Sequence, residues 1–261
     1  MKPCMEPEKI LEAYEKVGGR VETKGKVELT TKEDFALFYT PGVGTVSKHL
    51  AAHPEDARKL SIKRNSVAVV SDGTAVLGLG DIGPYGALPV MEGKALIFKQ
   101  LAGIDAWPIV LDTKDPDEIV RTVLAIAPSF GGINLEDIKA PDCFDIERRL
   151  IEALDIPVMH DDQHGTAIVA LAGLINAAKV VGKTLMDMRV VVLGAGAAGA
   201  AVARLLAAHG VKDILAVDRT GVISRNREGL SGVKKELAEL SPRDITGSLS
   251  DALTGADVFI G

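Results

Sequence analysis

The chain has 261 residues, enough for one large domain or two ordinary ones. Apolar residues make up 47 % and charged residues 25 %, the composition of a soluble globular protein with a real core. Thirty Lys and Arg against 36 Asp and Glu leave a net charge of −6, with no basic run to track a phosphate backbone. One Trp, three Tyr and six Phe offer little for base stacking, so no nucleic-acid partner is expected. Two cysteines, Cys4 and Cys143, cannot build a disulfide framework and fit a reducing, cytoplasmic compartment. No basic and apolar leader opens the sequence, and no apolar run is long enough for a membrane span.

In chain order, Ile10, Leu11, Tyr14 and Val17 recur at helical spacing and Gly18-Gly19 end the pattern, which predicts a helix over 7–17. A second helix is predicted after Pro41-Gly42, limited by Pro54. The apolar runs 67–70 and 75–79 flank Ser71-Asp72-Gly73-Thr74 and read as strand, turn, strand. A helix follows over 88–101, then a strand over 108–111, a turn over 112–116, a helix over 118–126, a strand over 132–135 and a helix over 142–153. Strands alternating with helices predict an α/β domain over 1–158. Composition changes after Pro157, where an Ala-, Leu- and Ile-rich helix is predicted over 166–181, and a second domain is expected over 159–261.

That second domain carries the most specific motif. Arg189-Val190-Val191-Val192-Leu193 is the apolar run of a parallel strand buried on both faces. It leads into Gly194-Ala195-Gly196-Ala197-Ala198-Gly199 and a helix over 200–209. The first glycine permits a tight turn, the second lets backbone approach a pyrophosphate, and the third lets helix and strand pack closely. The helix N-terminus then faces the anion. A second strand over 213–217 ends at Asp218, where a carboxylate can accept ribose hydroxyls and repel a 2′-phosphate. The motif therefore predicts a Rossmann-type doubly wound domain binding NAD in preference to NADP, although Arg219, Arg225 and Arg227 behind it could serve a 2′-phosphate. Gly78-Leu79-Gly80-Asp81-Ile82-Gly83 matches the same letters, but Asp81 would face the phosphates. Pro84, Gly86 and Pro89 are expected to prevent an uninterrupted helix there.

Acidic doublets occur at five places, no more than composition alone supplies. Glu136-Asp137 and Asp161-Asp162 stand apart because each follows an apolar strand, the place where α/β sheets bind ligands. Carboxylates meeting there would need a hard cation, Mg²⁺ or Mn²⁺; the plain alternative is solvated helix caps. His160 and His164 invite a zinc reading, which the Asp at 161, the extended residues before it and Gly165 all oppose.

With Phe38-Tyr39-Thr40-Pro41-Gly42-Val43, 71–80, Pro89-Val90-Met91-Glu92-Gly93-Lys94, 132–137 and His160-Asp161-Asp162-Gln163-His164-Gly165-Thr166-Ala167 in that order, the chain closely resembles the malic enzymes, above all the short prokaryotic type. The resemblance covers the whole chain. It implies a homodimer that oxidatively decarboxylates malate through oxaloacetate to pyruvate, with NAD or NADP and a divalent metal. Carried over residue by residue, it assigns the metal to Glu136, Asp137 and Asp162, the acid to Tyr39 and the base to Lys94, with Asp161 as a partner of the lysine. None of these roles follows from periodicity: Lys94 alone reads as a solvated lysine and Tyr39 as a half-buried tyrosine.

Two departures are visible. Larger members carry an arginine for the substrate carboxylate where this chain has Ala75, so recognition is expected from backbone amides around Gly42 or from a neighbouring subunit. The dinucleotide domain ends at a strand over 256–261 after about half of the usual two-part fold, so a C-terminally truncated piece with weak or absent turnover is expected. An oxaloacetate decarboxylase without net oxidation, or a dinucleotide-binding module without chemistry, remain the alternatives.

Overall fold

A computed structural model describes residues 6–261, so Cys4 lies outside the described residues. The chain forms two units. One runs to Asp137 and takes in Arg149–Val158; the other is Ile138–Arg148 with Met159–Gly261.

The first unit opens with α1 (Pro7–Val17), which has Pro in its first turn and ends on Gly18 at φ 68. Then come α2 (Lys32–Phe38), α3 (Gly42–Ala52) and the short α4 (Ala57–Leu60). The sequence reading missed α2, although Thr31 and Asp34 form a capping box that marks its start. None of these four helices has a buried residue.

The core begins at β1 (Ser66–Ser71), followed by α5 (Gly83–Ala102), β2 (Asp105–Val110), α6 (Pro116–Ile126) and β3 (Gly132–Leu135). The helix α7 (Asp142–Ala153) runs across the division between units, and β4 (Val158–His160) opens on the last residue of the first. The sheet order is β2-β1-β3-β4. The central strand β1 is parallel to both neighbours, pairing Val67 with Ala106 and with Gly132. Ala68, Val69 and Val70 are fully buried, as is every residue of β3. Each such valine or leucine contributes roughly 1.5 to 3 kcal/mol of burial.

Two expectations fail here. Residues 75–79 form a turn: Leu77 has φ 46 and Gly78 φ 76, and Val76 N–H donates to the Gly80 carbonyl at 3.0 Å. Left-handed backbone at consecutive residues cannot extend, so Leu77 and Leu79 stay exposed. The helix expected from Leu88 starts at Gly83 and runs on through Pro89. Pro84 sits in the first turn, where no amide bond is lost, whereas Pro89 lies inside the helix and leaves it one amide donor short. The glycine-rich decoy is therefore followed by a helix after all; what it lacks is a strand before it.

The second unit contains α8 (Asp161–Val180), β5 (Arg189–Leu193), α9 (Ala197–Ala208), β6 (Asp213–Asp218), β7 (Gly221–Ile223), α10 (Val233–Ala238), α11 (Leu249–Leu253) and β8 (Val258–Ile260). Its sheet order is β7-β6-β5-β8. Strands β6 and β8 are parallel to β5, while β7 turns back antiparallel on β6. Alanines on α9 let it lie close to the sheet, and Val190, Val192, Ala200, Ala203, Leu206 and Ile214 share one core. Among the described residues β8 pairs with β5 alone, and Phe259 is half exposed. No helix of the described residues is long and apolar enough to cross a membrane.

Candidate functional site

In the first unit, chemistry gathers past the ends of β1 and β3. Glu136 N–H donates to the Val70 carbonyl at 2.8 Å, continuing the ladder and fixing the residue next to the sheet. Its side chain is nearly buried, accepts from Asn134 Nδ2 at 2.8 Å and lies 3.1 Å from Lys94 Nζ. Asn134 escaped the sequence reading; a polar amide inside an otherwise apolar strand was the available signal. Asp137, 5 % exposed, has φ 55, a left-handed conformation that aspartate tolerates and most residues do not. Its carbonyl accepts from Ala75 N–H at 3.0 Å, tying the 75–80 turn to the doublet. In the same turn the buried Asp72 accepts from Thr74 N–H at 3.0 Å and from Thr74 Oγ1 at 2.6 Å.

The structure thus brings Lys94 to Glu136. It does not join Tyr39 to Lys94: the tyrosine ends α2, is 64 % exposed, and its hydroxyl makes no hydrogen bond among the described residues. The amides flanking Gly42 are also engaged within the chain, Val43 N–H with the Tyr39 carbonyl at 2.7 Å and Gly44 N–H with the Pro41 carbonyl at 3.0 Å. Those two donors are not open to a substrate carboxylate.

In the second unit, α8 begins at Asp161, five residues earlier than expected, with His160 as its N-cap. A glycine at 165 is expected to weaken a helix. Its lack of a side chain instead makes room for Asp161, whose Cγ would lie 2.9 Å from a Cβ there. Glu147 organises this start: it accepts from His160 N–H at 2.7 Å and from Gln163 Nε2 at 2.9 Å, and its Oε1 lies 2.8 Å from His164 Nε2. Since Gln163 gives one amide hydrogen to that carboxylate, the other faces His160 Nδ1 at 3.2 Å. His160 Nε2 then carries the ring proton and stands 3.0 Å from Asp162 Oδ2, outside hydrogen-bond alignment. His160 Nδ1 is thus engaged by Gln163 and His164 Nε2 by Glu147, while His160 Nε2 has no hydrogen-bond partner among the described residues. Burial, reinforced by the negative charges of Asp162 and Glu147, pushes the Cys143 thiol up to about 12, so it is no nucleophile at neutral pH.

The glycine-rich turn follows β5 as expected. Gly194 has φ 107, and its N–H donates to the Val217 carbonyl at 2.8 Å. A Cβ at Gly199 would sit 2.9 Å from the Gly194 carbonyl carbon, so close packing of helix on turn demands that glycine. A Cβ at Gly196 would meet nothing within 4 Å. Protein packing does not require that glycine, whereas an approaching pyrophosphate would. No side chain caps α9 and no acid lies in its first turn, leaving its amides and dipole for an anion. Residues Gly194, Ala195, Gly196, Ala197, Ala198 and Gly199 thus form a strand-to-helix turn whose chemistry fits a dinucleotide.

Asp218 ends β6 beside this turn, since Leu193 pairs with Val217. Burial pushes its carboxyl up, but hydrogen bonds from Arg227, Lys234 and Thr220 outweigh that and hold it far below the usual carboxylate range. Lys234 lies on α10, and no local signal pointed to it.

Residues 18–151 match the family model described as the malic enzyme N-terminal domain, and 163–248 the malic enzyme NAD binding domain. An NAD-dependent malic enzyme of Geobacillus stearothermophilus is 59 % identical over 246 residues, 94 % of this chain and 52 % of that protein. An NADP-dependent malic enzyme of Halomonas elongata is 49 % identical over 244 residues, 91 % of this chain and 57 % of that protein. The chain thus spans about half the length of these curated relatives. The crystal structure of an NAD-dependent malic enzyme from Thermotoga maritima matches with a TM-score of 0.93 at 47 % identity, covering 99 % of this chain and 68 % of that one. On these grounds the chain belongs to the malic enzyme family.

Proposed function

We propose that this chain carries the chemistry of oxidative decarboxylation of (S)-malate to pyruvate and CO₂, with hydride passed to NAD(P). The observation that carries the reading is Lys94 Nζ held 3.1 Å from the nearly buried Glu136 in a family whose relatives are named malic enzymes. Lys94 takes the C2 hydroxyl proton as hydride leaves C2 for the nicotinamide, and Asp161 helps orient the amine. The C3–C4 bond of oxaloacetate then breaks, CO₂ departs, and Tyr39 protonates C3 of the resulting enolate while Lys94 returns to the phenol the proton it took. Glu136, Asp137 and Asp162 form an all-oxygen donor set that would hold Mg²⁺ or Mn²⁺, which supplies a Lewis acid for charge building on the C2 oxygen. These residues fit such an ion by donor chemistry, with Glu136 and Asp137 nearly buried.

A homodimer in the cytoplasm completes the reading. It is supported by the exposure of Leu11, Phe35, Leu37, Phe38 and Val43 along helices without a buried residue, apolar side chains that a second copy would cover. The test follows nucleotide absorbance and CO₂ release with malate and Mn²⁺. Lys94→Ala is expected to lower oxidation by roughly 10²- to 10⁴-fold. Decarboxylation of oxaloacetate with no reduced nucleotide from malate would replace the reading with a simple decarboxylase, and unchanged oxidation in the variant would remove Lys94 as base. Light scattering checks the dimer.

A further inference from the structure

We propose that His160 is a positioning residue for Asp162: Glu147 and Gln163 set its ring so that Nε2–H faces that carboxylate, which is then presented to a divalent cation in one orientation. The inference deepens the reading of Asp162 as a metal ligand and rests on it. Glu147 Oε1 accepts from His160 N–H at 2.7 Å, a backbone donor that cannot turn away. Glu147 Oε2 lies 2.9 Å from Gln163 Nε2. A carboxylate accepts and does not donate, so the end of Gln163 that meets it is the NH₂ group. The second hydrogen of that NH₂ faces His160 Nδ1 at 3.2 Å. Nδ1 thus keeps its lone pair, and the ring proton belongs to Nε2.

His160 is fully buried, and its Nε2 has no aligned acceptor among the described residues. Beside it stands Asp162 Oδ2 at 3.0 Å, on a side chain one third exposed. A buried N–H without an acceptor is costly, and a modest turn of the carboxylate completes the bond. Burial holds Glu147, Gln163 and His160 in place, so the aspartate is the member with room to turn. A hydrogen bond to one oxygen of a ligating carboxylate restrains its rotation before the cation arrives. A histidine that only filled the core would have no use for a proton on the nitrogen facing Asp162, since either tautomer packs equally well.

The test uses the whole chain without substrate or nucleotide, with Mn²⁺ as the probe and electron paramagnetic resonance of the free ion as the readout. His160→Leu is expected to bind Mn²⁺ about 10- to 100-fold more weakly. His160→Gln, whose terminal NH₂ can replace Nε2–H, is expected to recover most of that affinity. Glu147→Gln keeps the shape and reverses the polarity. The His160 N–H holds the new amide oxygen at the Oε1 place, the new NH₂ faces Gln163, and Gln163 turns its own oxygen toward Nδ1. The ring proton is then expected to move to Nδ1, read from ¹⁵N shifts of the metal-free ring, with Mn²⁺ affinity falling in step. A parent ring protonated at Nδ1, or a proton that stays on Nε2 in Glu147→Gln, overturns the inference. So does unchanged Mn²⁺ affinity in Glu147→Gln once the proton has moved, or in His160→Leu that melts like the parent. Asp162→Asn separates the two readings. If it binds Mn²⁺ as tightly as the parent, or the parent binds none, the aspartate is no ligand and the inference falls with it. Weakened binding there beside unchanged binding in His160→Leu sinks the inference alone.

Discussion

The two sheets put strand ends to use in opposite ways. In the first unit the residues after β3 are buried carboxylates with one lysine beside them, Glu136 and Asp137 with Lys94. In the second unit the residue after β5 is a glycine with an open neighbour at Gly196, and the carboxylate ending β6 is outnumbered by cations. The same parallel architecture thus presents an acidic, oxygen-rich end in one case and an anion-receiving end in the other. Architecture chooses where ligands meet the sheet; the handful of residues past each strand chooses the sign of what is received.

Breaking the first element tests how much the start of α8 depends on one side chain. Glu147→Leu strands His160 N–H, Gln163 and His164 without their shared acceptor and is expected to cost about 3 to 5 kcal/mol, read by urea denaturation. A loss under about 1 kcal/mol would show the network to be replaceable by water. Gly199→Ala probes the second sheet: the new methyl meets backbone, so helix and turn must separate, at a cost of about 1 to 3 kcal/mol with weaker nucleotide binding. Unaltered 5′-AMP affinity in that variant would contradict the close-packing role of the third glycine.

A smaller effect is pH-dependent. The Asp105 carboxyl at the start of β2 is drawn down to about 2, first by its hydrogen bond to Lys99 and then by Asn65 and Lys26, against burial that pushes it up. A depressed folded-state value means the stabilisation is present above the ordinary carboxylate range near pH 4 and is lost as pH falls through about 2. Asp105→Asn is therefore expected to be less stable than the parent by about 1 kcal/mol at pH 7, the partners being partly exposed, with the gap closing between pH 4 and 2. A gap that is constant with pH would assign the effect to packing. Smallest, and opposite in sign, Asp137→Gly relieves a left-handed backbone and is expected to gain about 0.5 to 1 kcal/mol while weakening Mn²⁺ binding. Such a gain would mark Asp137 as a residue kept for ligation at the expense of stability.

Much of the site was legible because its signals are local. The glycine turn after β5 reads directly from apolar run, motif and following helix, the two acidic doublets from their place after apolar strands, and Lys94 and Tyr39 only through the family resemblance. What escaped was non-local or context-bound. Leu77 and Leu79 look like strand residues until the left-handed turn is seen. Gly165 looks like a breaker until Asp161 is found in its space. Asp218 looks like a ribose acceptor until Lys234, sixteen residues on, is seen bonded to it.

Local pattern determined the alternation of strands and helices and the dinucleotide turn, because periodicity and glycine backbone freedom act over a few neighbouring residues. Tertiary structure alone decided which lone pairs and protons remain for a ligand at Asp218, and which carboxylate holds the buried histidine. Hydrogen-bond capacity is finite and is shared among groups that meet only when the chain has folded.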